Sequence, residues 1–277
     1  MSPRMSQSCA SVLLLAMSLA LCVGLLAWGP IELTPADHRF ADQRMWAGMP
    51  NAVNTLACLP LVGASLWGML ATSRSSLPAG IRAPRFGFFA LAALHSAASA
   101  LYHLVPSDAG FALSHWLVAA AFTLLLLGSL AERIDSMYGS RSAVAVGIGA
   151  ATLAAAWWAM GHAWSGHGDL RAMLLLECLP LLLIPTGAFN LPGRFTSAAD
   201  WLWMLGLYAL ARVAGLADAA VFDATSWISG HALMHLLLAG VAACLAYRAG
   251  IAPGSARFPA GMVGESTQRR TSLNTAS

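Results

Sequence analysis

Lysine is missing from this chain of 277 residues, and all 15 of its basic side chains are arginines. Charge of either sign is scarce, at 10% of residues against about 25% in a soluble domain. Together with 58% hydrophobic residues and a mean hydropathy of +0.67, that scarcity excludes an ordinary soluble globule and points to a polytopic membrane protein. A formal net charge of +3 is too small to suggest a nucleic-acid partner. Cysteine is sparse too. Cys9, Cys22, Cys58, Cys178 and Cys244 lie scattered, mostly within apolar runs, and no pair has ligand spacing. They read as small buried hydrophobes rather than a disulfide framework.

What is abundant is long apolar sequence. Ser11 to Trp28 is almost uninterrupted behind a single arginine, Arg4, with no clear small-x-small cleavage site before Gly29-Pro30. A retained first helix is expected there, with a cleaved signal peptide as the alternative. Residues 30–50 are polar, and further apolar segments follow at roughly 51–71, 86–105, 114–131, 143–160, 172–189, 201–216 and 229–247. Several are nearer 17 residues than 20, within the range that spans a hydrocarbon layer of about 30 Å. The loops at 72–85, 132–142 and 190–200 and the C-terminal side carry arginine, whereas those at 106–113, 161–171 and 217–228 carry mainly aspartate. By the positive-inside rule both termini are then cytoplasmic and the spans number eight. The predicted fold class is all-α: an N-terminal helix over 1–29, a membrane domain over 30–250 and a disordered tail over 251–277.

Within this apolar background the histidines stand out. His231 and His235 are four residues apart at the start of the last span, and Ser99 and His103 repeat that spacing in the third. Such pairs lie on one helical face, and an ionisable side chain in hydrocarbon is costly without a partner. In the predicted topology all three imidazoles lie at similar depth in the outer leaflet. Three histidines suit a zinc ion with an open fourth position, where a bound hydroxide attacks a carbonyl and Ser99 supports the water or oxyanion. Hydrogen bonding between helices and bis-histidine haem ligation remain open from spacing alone. His95 lies one turn below Ser99, as a core histidine or a neighbour of the ligands. His115 begins its helix on the same side. His38, His162 and His167 fall in outer loops and read as solvated. Glu177 and Arg212 lie inside spans at similar depth, and a buried pair between them is expected. Asn51 and Asn54 share a face of the second span and are expected to join helices.

Several stretches resemble bacterial membrane proteins of the alkaline ceramidase family, whose wider superfamily includes the adiponectin-receptor-like hydrolases. They are Phe40-Ala-Asp-Gln-Arg44, Pro50-Asn51-Ala-Val-Asn54, Leu59-Pro60, Ser99-x-x-x-His103-Leu-Val-Pro106, Ala131-Glu-Arg-Ile-Asp135, Gly168-Asp-Leu-Arg171, Tyr208-Ala-Leu-Ala211 and Ser229-Gly-His231-x-x-x-His235, spread over roughly 37–250 in order. The resemblance implies a seven-helix hydrolase-like core preceded by one extra helix. It also implies zinc on His103, His231 and His235, Ser99 beside the zinc water, and hydrolysis of the amide bond of a ceramide-like membrane lipid, in what would be a bacterial inner membrane. The chain departs from the family where a base is needed. The family's aspartate, eleven residues after the first histidine, falls at Ser114, with His115 beside it as a substitute. The family's Ser-Asn in the second span reads Ala57-Cys58, and its glutamate after Tyr-Ala-Leu-Ala falls at Gly215. The acidic residues that hold calcium in animal members are mostly missing, and calcium is not carried over. The expected function is a zinc-dependent lipid amidase, impaired at the base. The alternative is a zinc-stabilised protein that binds lipid without cleaving it.

Overall fold

The computed structural model describes residues 6–251, so the predicted disordered tail lies outside the described residues apart from Ile251. The regular structure is helical throughout: α1 (Gln7–Trp28), α2 (Ala52–Ala57), α3 (Leu59–Ser73), α4 (Ala79–Leu104), α5 (Asp108–Arg133), α6 (Arg141–Ser165), α7 (Arg171–Asn190), α8 (Ala198–Leu216), α9 (Asp218–Thr225) and α10 (Gly230–Gly250). Seven spans, with α2 and α3 counted as one, are long and apolar enough to cross a membrane. The bent pair α8–α9 makes an eighth if it is one span, so the expected all-α polytopic architecture is present. The eighth is not straight: α8 and α9 meet at 79°.

Local chemistry sets the breaks. Pro60 has no N–H to give the Leu56 carbonyl, and its ring crowds that group. The helix is therefore interrupted at Cys58, between α2 and α3. The hairpin from α4 to α5 turns at Val105-Pro106, where the residue before proline leaves the helical region. Ser107 then caps α5, its Oγ accepting the Gly110 N–H at 3.2 Å. At α10, Ser229 accepts the Ala232 N–H at 3.1 Å and donates its own hydroxyl to Asn54 Oδ1 at 3.0 Å. One cap thus also ties α10 to α2.

Hydrogen bonds define the two ends of the bundle. At one end Gln7 Nε2 donates to the Ile134 carbonyl, and Arg248 pairs with Asp200 at 2.9 Å. There the buried Glu132 accepts the backbone N–H groups of Phe195 and Thr196, with Arg85 3.7 Å away. At the opposite end, Leu170 N–H donates to the Ile31 carbonyl, and Asn51 Nδ2 donates to the His103 carbonyl at 2.7 Å. That second end carries every candidate residue. Between the ends, Phe89, Leu124 and Leu245 are fully buried. Gly68 is needed for the approach of α3 to α4, since a Cβ there would overlap the Phe89 ring. Val12, Leu15 and Leu19 on α1 remain exposed, as a lipid-facing helix requires.

Candidate metal centre

The predicted faces of α4 and α10 meet. His103 Nε2 lies 3.1 Å from His235 Nε2, and His235 Nε2 lies 3.2 Å from His231 Nε2. Ser99 Oγ is 3.4 Å from His103 Nε2. His103 and His235 are buried, while His231 is partly exposed.

Cys58 completes the surprise. Its thiol, with His103 and His235, forms a buried group whose ligand atoms all lie within 4.8 Å of one another and which can hold a metal ion. Cys58 is buried, as expected of a small hydrophobe, and its place beside the two imidazoles also makes it a candidate ligand. Ligand spacing along the chain says nothing when each ligand comes from a different helix.

The donor set fits a cation on two further observations. His103 Nδ1 and His235 Nδ1 are buried without a hydrogen-bond partner. If those nitrogens carry the imidazole protons, the Nε2 lone pairs face one another and repel unless a cation sits between them. A tetrahedral zinc with Zn–N of about 2.0–2.1 Å places ligand nitrogens about 3.3 Å apart, close to the His103–His235 and His235–His231 separations of 3.1 and 3.2 Å, though His231 lies outside the compact group of Cys58, His103 and His235. Haem ligation fits poorly. An axial pair of imidazoles must hold a macrocycle between them, and these nitrogens are in mutual contact.

A polar strap over residues 30–50 closes this end. The buried Phe40 ring sets its edge against His103, centroids 4.7 Å apart, and tilts over His231 at 5.0 Å. Asp218 Oδ2 accepts the Ala41 N–H at 2.8 Å while its Oδ1 accepts the His231 N–H at 2.7 Å. One carboxylate so pins both the strap and the first turn of α10. Gly230 makes room for this, because a Cβ there would run into the Ala214 carbonyl and the Asp218 backbone. In the strap, Arg44 grips Asp42 with Nε on Oδ1 at 2.8 Å and Nη2 on Oδ2 at 2.7 Å. Those bonds outweigh burial and hold the Asp42 carboxyl below its ordinary range. His38, expected to be solvated, instead bonds Tyr102 Oη at 2.8 Å and Asp108 Oδ1 at 2.7 Å. His162 stacks on Trp158, and His167 stays exposed at 3.5 Å from Glu32.

Below the histidines a cavity of about 470 Å³ opens between α4, α5, α7, α8 and α10. His95 Nδ1 lies in its wall, 3.0 Å from the Ser114 carbonyl and 3.1 Å from Ser114 Oγ. His115 Nδ1 lies 2.8 Å from Glu177 Oε1, and the imidazole stacks on Phe111. The expected Glu177–Arg212 pair is thus replaced. No ion pair joins them among the described residues, because His115, entering from α5, reaches Glu177 first. Arg212 lines the same cavity. Asn51 and Asn54 join segments as expected, Asn54 Nδ2 donating to the Asp42 carbonyl at 3.1 Å.

No family model, no curated protein and no solved structure matches the chain.

Proposed function

We propose that this membrane protein is a zinc-dependent hydrolase of a lipid amide, with His103, His231 and His235 as ligands and the site toward the outer leaflet. The observation that carries the proposal is that His235 Nε2 lies 3.1 Å from His103 Nε2 and 3.2 Å from His231 Nε2, beside a largely apolar cavity. The likeness of the Ser-x-x-x-His and His-x-x-x-His stretches to the alkaline ceramidase family supports the same chemistry. When bound, zinc would supply Lewis acidity and a water that ionises near neutral pH.

The chain's own groups do the rest. Ser99, 3.4 Å from a ligand nitrogen, donates its hydroxyl toward the oxygen on which charge develops. Ser114 cannot serve as a base, and its hydroxyl is engaged with His95. Proton transfer falls to His115. The Glu177 carboxylate accepts from Nδ1–H at 2.8 Å, which fixes the tautomer and leaves Nε2 with its lone pair. Glu177 also stabilises the imidazolium once the proton has moved. Phe40, on the strap, packs against the His103 and His231 rings.

A fluorogenic long-chain amide, offered to the protein in lipid nanodiscs, tests this. Glu177→Gln should lower kcat by about 10²–10⁴ while leaving metal content unchanged. Full turnover in that variant would remove the dyad from the mechanism.

Cys58 favours a second proposal. Three histidines and a thiolate together fill four positions, and a filled tetrahedral site is structural, not catalytic. In that case the protein holds zinc for stability and binds lipid without cleaving it. Cys58→Ser separates the two: turnover persists if the thiol is a bystander, and zinc is lost if it is a ligand.

A further inference from the structure

Arg212 is a permanent cation within the candidate span α8, and among the described residues no carboxylate lies within ion-pair distance of it, although Glu177 and Asp37 line the same cavity. Glu177 is taken by His115 at 2.8 Å. Asp218 spends one oxygen on the His231 N–H and the other on the Ala41 N–H. Asp37 Oδ2 accepts both the N–H and the hydroxyl of Thr34 at 2.7 Å. Along α8 the neighbours at three and four residues are Tyr208, Ala209, Gly215 and Leu216, none acidic. Among the described residues the guanidinium's one polar contact is Nη1 to Met234 Sδ, at a loose 3.7 Å. The side chain is open rather than buried, and it lines the cavity that also holds His231 and His235.

We propose that Arg212 is an anion subsite in this cavity. Its occupant is a single-chain amphiphile whose head group is ionised, a carboxylate or a phosphate. A guanidinium in hydrocarbon needs a counter-charge, and its planar fork matches the paired oxygens of those two groups. The chain of such a molecule would lie along the apolar wall made by Phe122, Leu125, Leu181, Trp201 and Met204. A cavity of about 470 Å³ is in the range that encloses one small ligand. The extension to a substrate class rests on the hydrolase proposal: the amide cleaved would be an N-acyl amphiphile with an acidic head, in place of a neutral ceramide. Anion binding itself does not depend on the metal.

The test is equilibrium binding of hexadecanoate, hexadecyl phosphate and hexadecanol to the full-length protein in phosphatidylcholine nanodiscs, at a pH where the acid is ionised. Wild type should prefer at least one anion over the alcohol by about tenfold or more, as a charge-assisted bond provides. Which anion binds distinguishes a carboxylate head from a phosphate head. Arg212→Gln should lose the preference while binding hexadecanol as before, and His103→Ala should keep it. No preference in wild type, or a preference that survives Arg212→Gln, overturns the proposal. Loss in His103→Ala with retention in Arg212→Gln would place the anion on the histidine cluster and also overturn it. If Arg212→Gln binds no amphiphile at all, Arg212→Lys decides. A reduced preference with hexadecanol binding kept supports the fork, and an unchanged preference refutes it. Metal content, measured separately, judges the hydrolase proposal alone.

Discussion

Asp218 offers a way to disturb the histidine cluster without touching an imidazole. Its two oxygens accept the His231 N–H at 2.7 Å and the Ala41 N–H at 2.8 Å, so removing the carboxylate releases both the first turn of α10 and the strap. Hydrogen bonds to a charged group contribute about 1.5–3 kcal/mol each. Asp218→Ala therefore costs up to about 3–6 kcal/mol in gross terms, less what water recovers at this partly exposed position. If a third of that appears as misplacement of His231, metal affinity falls by about 5- to 30-fold, at 1.4 kcal/mol per tenfold. Asp218→Asn keeps one acceptor oxygen and should fall between the two. The assay is competition for zinc against a chelator of known affinity, in detergent, on wild type and both variants, with thermal unfolding alongside. An affinity unchanged in Asp218→Ala while unfolding temperature drops would mean that His231 is not a ligand. The site would then be the Cys58, His103 and His235 group alone.

Three further outcomes follow from the same geometry. With the thiol a bystander, cobalt-substituted wild type should show no thiolate-to-metal charge-transfer band and Cys58→Ser should retain one metal per chain; such a band in wild type, or failure of the variant to bind cobalt, would make Cys58 a ligand. Gly230→Ala forces a Cβ onto the Ala214 carbonyl and the Asp218 backbone, and should destabilise by about 1–3 kcal/mol. An unfolding temperature equal to wild type would show that α10 can shift freely against the α8–α9 elbow. Asp42 is held below its usual pKa of 3.8 chiefly by the Arg44 hydrogen bonds. Its contribution is present above that value and is lost as pH falls through the lowered one. Asp42→Asn should therefore reduce stability at neutral pH and narrow the gap to wild type below about pH 4; a constant difference across that range would contradict the pairing.

The spans and the histidine cluster were legible because both depend on local pattern. Apolar runs of spanning length need no partner to be recognised, and i, i+4 histidines share a face whatever surrounds them. The rest depends on which helix stands beside which. Cys58 joins the candidate group only because the second span packs beside α4 and α10, a neighbourhood that spacing along the chain does not reveal. Glu177 looked paired with Arg212 because both sit at one depth, yet depth fixes height and not azimuth, and His115 occupies the nearer side. A loop position predicts a solvated His38, whereas the strap folds back over the bundle and hands it Tyr102 and Asp108. The 79° elbow between α8 and α9 left no mark in the hydropathy, because no proline and only Gly215 lies near it.

The central claim is that three converging imidazoles hold a metal. It is tested most directly by metal content of the protein purified in detergent without chelators, wild type beside His235→Ala. His235 touches both other imidazoles, so its loss should disperse the cluster. The account predicts about one zinc per chain in wild type and essentially none in the variant. A folded wild type free of metal, or a variant that keeps its zinc, would contradict it and leave the histidines as groups that join helices.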